Sequence, residues 1–409
     1  LHPQSVVIVG AGHAGGTAAA LLRQQGFTGS IVLIGEEASV PYQRPPLSKG
    51  YLKGDADAES LKLKTDGFYH DAKITLRLGA AVTGIDRAAK MVMLEGGGGV
   101  PYDALVLATG SRARKLPVIG AHLENIHELR NLADAEALKA AIEPGRRLLV
   151  IGGGYVGLEV AASARALGAE VVIVEREARC LARVACEPLS RFFQDYHRAR
   201  GVEIITGLGV RGFAGDAHGF VSSAELDNGR ELKCDVALIG VGGQPCEEIA
   251  REAGLKCDNG VVVDLEARTS DPAIFAIGDV TRRPMPLYGE RLFRLESVPN
   301  ALEQAKQAAA AILGQPAPPP EVPWFWSDQY DIKLQIAGVP FDTDQLLVRG
   351  DPAQAKFAVF HLNDRKVQAV EAVNAPPEFM AGKQLIASGR PVDVAKLADP
   401  AVSMKAVAA

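Results

Sequence analysis

The sequence predicts the α/β fold class: two parallel-sheet domains of one design, followed by a smaller α+β domain. Three observations carry this reading. A strand, a glycine turn, a helix and a second strand follow one another near the start of the chain; the same succession returns after residue 147; and a proline-rich stretch, 315–323, separates this body from a last part of different pattern. At roughly 100–200 residues per domain, 409 residues make room for two or three.

The first succession runs from the β-branched Val6-Val7-Ile8-Val9 into Gly10-Ala11-Gly12-His13-Ala14-Gly15, then a helical pattern with Ala18, Leu21 and Leu22. It continues with Ile31-Val32-Leu33-Ile34 and ends near Glu36. The second runs from Leu148-Leu149-Val150-Ile151 into Gly152-Gly153-Gly154-Tyr155-Val156-Gly157, a helix through Leu167, and Val171-Val172-Ile173-Val174 before Glu175. At such turns glycine lets backbone N–H groups approach a pyrophosphate, and the positive end of the following helix helps hold it. The pattern therefore predicts two Rossmann-like dinucleotide-binding domains. One site rests on Gly10, Gly12 and Gly15 with Glu36 for a ribose; the other on Gly152, Gly154, Tyr155 and Gly157 with Glu175 for a ribose.

A further repeat follows each half. Asp103-Ala104-Leu105-Val106-Leu107-Ala108-Thr109-Gly110 matches Asp235-Val236-Ala237-Leu238-Ile239-Gly240-Val241-Gly242 in pattern, and each is expected as a buried strand crossing between domains. Ile274-Phe275-Ala276-Ile277 then delivers Gly278-Asp279 at its carboxyl end, where open α/β sheets bind ligands. With Asp279 serving the first nucleotide, 1–111 and 243–320 form one discontinuous domain, 112–242 is inserted into it, and 321–409 is the C-terminal domain. In that last part, 356–362 and 366–373 flank Asn363-Asp364-Arg365 as a β-hairpin.

Composition narrows the class. A net charge of −5 gives no general attraction to nucleic acid or anionic membrane. Five cysteines (Cys180, Cys186, Cys234, Cys246, Cys257) form no CxxC pair and no disulfide framework, so a reducing cytoplasm is expected and no metal centre. Val6-Val7-Ile8-Val9 follows without the basic and apolar run of a signal peptide, and no apolar stretch reaches membrane-spanning length, so the expectation is a soluble protein.

The two dinucleotide folds, the Ala108-Thr109-Gly110 turn and the late Gly278-Asp279 together resemble the flavoprotein reductases of glutathione-reductase-like architecture, which hold FAD in the first fold and a nicotinamide nucleotide in the second. Three motifs, Pro41-Tyr42-Gln43-Arg44-Pro45-Pro46-Leu47-Ser48-Lys49, Glu296-Ser297-Val298-Pro299-Asn300-Ala301 and Pro323-Trp324-Phe325-Trp326-Ser327-Asp328-Gln329, look like the ferredoxin reductases of bacterial oxygenase systems. The disulfide reductases of the superfamily carry redox cysteines in the segment that is Pro41–Lys49 here; this one has none. The resemblance implies noncovalent FAD, NADH as electron donor, and single electrons passed to a [2Fe–2S] ferredoxin that feeds a Rieske dioxygenase or a cytochrome monooxygenase. Rubredoxin reductases, monodehydroascorbate reductases and apoptosis-inducing-factor-like NADH-binding interaction proteins share the two folds and stay open as alternatives.

Carried over residue by residue, the resemblance places Lys49 nearest flavin N5, where a fixed ammonium favours the reduced ring, and pairs it with Glu159. It puts Ala14, Glu36, Arg44, Val82, Ala108, Thr109, Arg130, Asp279 and Val298 at the FAD site, and Trp326 between flavin and partner, with Trp324 as core. A transient electrostatic docking surface is expected from Arg282, Arg283, Arg291, Arg294, Lys306 and Lys333, with Lys356, Arg365, Lys366 and Lys405 as further candidates.

Overall fold

The computed structural model describes residues 3–289 and 291–408. It divides into two compact units: Leu1–Gln43, Leu61–Arg112 and Pro245–Phe325 form the first, and Arg44–Ser60, Ala113–Gln244 and Trp326–Ala409 the second.

The first unit is organised by a five-stranded sheet in the order Ile274–Ala276, Ala104–Leu107, Ser5–Val9, Ser30–Gly35, Ile74–Leu78, parallel throughout. Val6, Ile8, Ile31, Leu33 and Val106 point into one core; Val7, Val9, Leu105, Leu107 and Ile274 point into another on the opposite face. A sheet buried on both faces has no use for polar alternation, which is why these strands read as unbroken Val/Ile/Leu runs. The helices His13–Gln24 and Val298–Ile312 cover one face through small side chains, among them Ala18, Ala19, Ala305, Ala308 and Ala309, so their backbones come close.

The second unit repeats the plan in a parallel sheet ordered Val202–Thr206, Glu170–Glu175, Arg147–Ile151, Val236–Ile239, Ile126–His127. The same unit holds most of the C-terminal sheet, ordered Trp324–Gln329, Ile332–Gly338, Lys366–Val373, Lys356–Asn363, Gln345–Asp351, with the helix Pro376–Ser388. The expected hairpin is there. Its turn residues Asp364 (φ 44°) and Arg365 (φ 58°) both take positive φ, the geometry that matches the twist of the flanking strands.

The paired repeats Asp103–Gly110 and Asp235–Gly242 are interior strands of the two sheets rather than crossing segments: each lies parallel beside the first strand of its fold. The leading aspartates share one task. Asp103 accepts the Ser5 N–H at 2.9 Å and Asp235 accepts the Arg147 N–H at 2.9 Å, so each ties down the entry of its neighbouring strand.

Candidate functional sites of the two units

In the first unit, Gly10 takes φ +112°, and a Cβ there would stand 2.1 Å from the Ala108 carbonyl oxygen; one on Gly15 would stand 1.9 Å from the Gly10 carbonyl oxygen. Side chains at either position would wreck the turn. Gly12 is the N-cap of His13–Gln24, and no side chain caps it, which leaves first-turn N–H groups and the helix dipole open to a phosphate. Gly278 lets the late turn approach, since its Cβ would sit 3.0 Å from that of Ala14. Asp279 thus comes to this same end of the sheet, with Ser111 Oγ at 3.3 Å from Oδ2. Thr109 Oγ1 donates to the Cys246 carbonyl at 2.7 Å. Glu36 is exposed just past the second strand, Val82 is half-buried at the start of Val82–Asp86, and Val298 opens Val298–Ile312 behind its Ser297 cap. The bared helix end, the glycine cradle and the two carboxylates fit a dinucleotide such as FAD.

Gln304 supports this site without any signal in its sequence surroundings, and Arg283 proves to be interior. Gln304, fully buried, accepts from the Gly278 N–H and from Thr281 Oγ1, both at 2.8 Å, and so holds the late turn. Arg283, expected on a docking surface, is instead 3% exposed and locked to Glu303 at 2.8 Å and Asn300 at 3.0 Å. A guanidinium so enclosed cannot meet a partner. Arg294 is also largely covered and pairs with Glu296, whereas Arg291 is exposed and Lys306 is half-exposed, 3.6 Å from Glu321. Lys333, in the second unit, is exposed.

In the second unit, Gly152 (φ +105°) and Gly157 repeat the cradle: Cβ atoms there would meet the Gly240 carbonyl oxygen at 2.3 Å and the Gly152 carbonyl oxygen at 2.2 Å. Gly154 caps Tyr155–Ala166, again without a side-chain cap. Glu175 turns its carboxylate onto this loop, Oε2 accepting the Gly153 N–H at 2.7 Å and Oε1 the Glu177 N–H at 2.8 Å. Each oxygen keeps a lone pair for a ribose hydroxyl. Arg179 is occupied by the Ala185 carbonyl and Ser190, leaving Arg176, 78% exposed, as the cation beside Glu175 that could meet a 2′-phosphate. The expected result is a kcat/KM for NADH above that for NADPH, with Glu175→Ala narrowing the ratio ~10-fold, about the worth of a charged hydrogen bond. Equal use of both nucleotides by the unmodified protein would contradict this.

The helix that starts at this turn carries Glu159 and, one turn on, Ser163 on the same face. Glu159 is 5% exposed and fully engaged. Lys49 Nζ reaches Oε2 at 2.8 Å, Ser48 Oγ donates to the same oxygen at 2.5 Å, and Ser327 Oγ donates to Oε1 at 2.6 Å. Ser163 Oγ donates to the Ser48 carbonyl at 2.7 Å, and Lys49 Nζ also donates to the Pro45 carbonyl at 2.9 Å. The ammonium is therefore fixed from two sides while 17% of its side chain stays accessible. Sequence motifs contained both serines without revealing their target. Nearby, Arg44 Nη1 donates to the Arg130 carbonyl at 2.8 Å, and the Arg130 N–H to Asp134 at 2.9 Å, within a capping box that starts Leu132–Ala141. Trp324 and Trp326 are both half-buried, and Trp326 directly precedes Ser327.

From Ser327 a line of hydrogen bonds runs onward. Tyr330 hydroxyl meets His197 Nδ1 at 3.2 Å, His197 Nε2 meets Gln329 Oε1 at 2.8 Å, and Gln329 Nε2 donates to Ser327 Oγ at 3.2 Å. Read with Gln329 as acceptor from His197, every donor points toward Glu159. Burial pushes the His197 imidazole down to about 4, so it is neutral at pH 7. The unfolded chain binds that proton near pH 6.5, so stability falls as pH drops from 6.5 to 4, by an amount on the order of 3 kcal/mol. Denaturant titrations at pH 7 and 4.5 check this: His197→Gln should flatten that decline, and an equal decline in both proteins would contradict it.

None of the five cysteines is in a disulfide. Burial raises the Cys180 and Cys234 thiols to about 12, far from the thiolate that dithiol chemistry requires.

Two parallel sheets, each with a glycine cradle at an uncapped helix end, define a nucleotide-dependent oxidoreductase with a braced lysine–glutamate pair. Residues 4–305 match the pyridine nucleotide-disulphide oxidoreductase family, and 324–408 match the reductase C-terminal family. The chain belongs to the pyridine nucleotide-disulphide oxidoreductase family, whose members hold FAD and use a pyridine nucleotide. It is 54% identical to a probable ferredoxin reductase of Castellaniella defragrans over 99% of both chains. It is 44% identical to the putidaredoxin reductase of Pseudomonas putida, over 99% of this chain and 97% of that one. Among solved structures, the covalent putidaredoxin reductase–putidaredoxin complex matches with a TM-score of 0.96 at 44% identity, covering 98% of this chain and 97% of the other. Among the described residues, no helix is long and apolar enough to cross a membrane.

Proposed function

We propose that this protein draws electrons from NADH and delivers them singly to a [2Fe–2S] ferredoxin serving an oxygenase. FAD, when bound, supplies the conversion, since it accepts a hydride and gives up electrons one at a time. The observation that carries the reading is Glu159, gripped by Lys49, Ser48 and Ser327: it holds an ammonium immobile and largely shielded from water, as the stabilisation of growing negative charge requires. We assign Lys49 to the flavin ring, with Arg44 and Arg130 toward the same cofactor and Glu175 toward the nicotinamide nucleotide. The raised Cys180 and Cys234 thiols favour direct electron delivery over a dithiol relay, and cysteines outside any disulfide suit the cytoplasm as the place of action.

Each unit offers exposed cations for docking, Arg291 and Lys306 in the first and Lys333 in the second, in a chain whose net charge is −5. With a Debye length of ~8 Å, only charges close to the docked partner act on it, so local cations count for more than the net charge. Lys306→Glu and Lys333→Glu should each lower the on-rate for ferredoxin and flatten its salt dependence, leaving flavin reduction by NADH unchanged. Trp326→Ala should slow ferredoxin reduction even at saturating ferredoxin, a defect of transfer instead of encounter. Unaltered rates in all three variants, measured by stopped flow at low and high salt, would sink this docking assignment.

A further inference from the structure

Cys186 is far in sequence from His361 and Glu371, yet the three share one enclosed point of the second unit. Cys186 is the N-cap of Glu187–Arg198; His361 lies on Lys356–Asn363 and Glu371 on Lys366–Val373. In the register of those strands His361 faces Ala369 and Val359 faces Glu371, so His361 and Glu371 are diagonal neighbours on one face. Their donor atoms and the Cys186 sulfur all lie within 4.8 Å of one another, and all three residues are buried.

Glu371 is 2% exposed. Its Oε2 stands 2.6 Å from Cys186 Sγ and 3.4 Å from His361 Nε2, and its Oε1 accepts the Cys186 N–H at 3.1 Å. His361 is 5% exposed, and its Nε2, aimed into the cluster, makes no hydrogen bond. A carboxylate, a thiol and an under-used imidazole nitrogen, enclosed together, are an expensive arrangement without a cation.

We propose that Cys186, His361 and Glu371 bind a divalent cation of the zinc class. A thiolate, a neutral imidazole and a carboxylate are the donor types zinc takes, and with a 2+ ion their charges sum to zero. Three protein donors leave a fourth position for water. Binding transfers the Cys186 thiol proton to solvent and gives His361 Nε2, which makes no hydrogen bond, a metal to ligate. Two donors on one tetrahedral zinc stand about 3.5 Å apart, so loading separates Cys186 Sγ from Glu371 Oε2 by about 1 Å. The ion would pin the start of Glu187–Arg198 to the C-terminal sheet. It would also sit near Tyr155 of the second glycine turn, whose hydroxyl is held well above its ordinary range by burial and by the charges of Glu371 and Cys186.

The test uses the full FAD-loaded protein from zinc-supplemented cells, purified without a histidine tag. Elemental analysis should give about one zinc per chain, and zinc-edge X-ray absorption should show one sulfur neighbour at about 2.3 Å with nitrogen or oxygen neighbours at about 2.0 Å. Cys186→Ala and His361→Phe should each lower zinc affinity more than ~10-fold at unchanged flavin content. The spectroscopy on the unaltered protein needs no variant to fold. Zinc-free protein from that medium, a metal shell without sulfur, or full zinc content in folded Cys186→Ala would each overturn the proposal.

Discussion

Lys49→Met should slow the reduction of bound flavin by NADH ~10²-fold or more while leaving the fold and most of the flavin in place. Loss of one fixed charge aimed at a developing negative charge carries an effect of that size. The fold should survive because Glu159 keeps Ser48 and Ser327 as donors, so its carboxylate is not stranded when the ammonium goes. Glu159→Ala acts in the same direction but less, since it frees the ammonium without removing it, and the Pro45 carbonyl still accepts from Nζ. Stopped-flow reduction of Lys49→Met at the unmodified rate would remove Lys49 from the chemistry.

Gly10→Ala should yield protein without flavin absorbance and with a lowered melting temperature. The added methyl would meet the Ala108 carbonyl oxygen at 2.1 Å at a φ of +112°, where no L side chain is at ease, and the clash is with backbone that cannot swing away. Gly152→Ala places the same strain in the second turn, 2.3 Å from the Gly240 carbonyl oxygen. It should retain FAD and raise the KM for NADH. Loss of flavin from Gly152→Ala with normal flavin in Gly10→Ala would reverse the assignment of the two cradles.

The two turns were legible because their requirement is local: a glycine where the chain must pass against a carbonyl, between a strand and a helix, is written within six residues. The parallel sheets were legible for a similar reason, since strands buried on both faces read as continuous apolar runs. The grip on Glu159 was legible only in part. Lys49 entered through its motif, but Ser48 and Ser327 meet Glu159 across 111 and 168 residues of chain, and nothing in their own surroundings names that partner. His197 and Gln329 stayed hidden likewise, as a neutral histidine in a core looks in sequence like any other. Arg283 misled for the opposite reason. Counting charges along 280–310 places it on a surface, and only the fold shows Glu303 and Asn300 enclosing it. Asp103 and Asp235 were visible as a repeat, yet their work of anchoring neighbouring strands needed the sheet register.

The claim that two-electron donation by NADH becomes one-electron delivery is tested most directly by stoichiometry under anaerobic conditions. The protein, with limiting NADH and excess [2Fe–2S] ferredoxin, should reduce two ferredoxins for each NADH consumed, at a rate that collapses in Lys49→Met. Consumption of NADH with no change in the iron–sulfur spectrum, the flavin instead remaining reduced in a long-lived complex with the oxidised nucleotide, would contradict it.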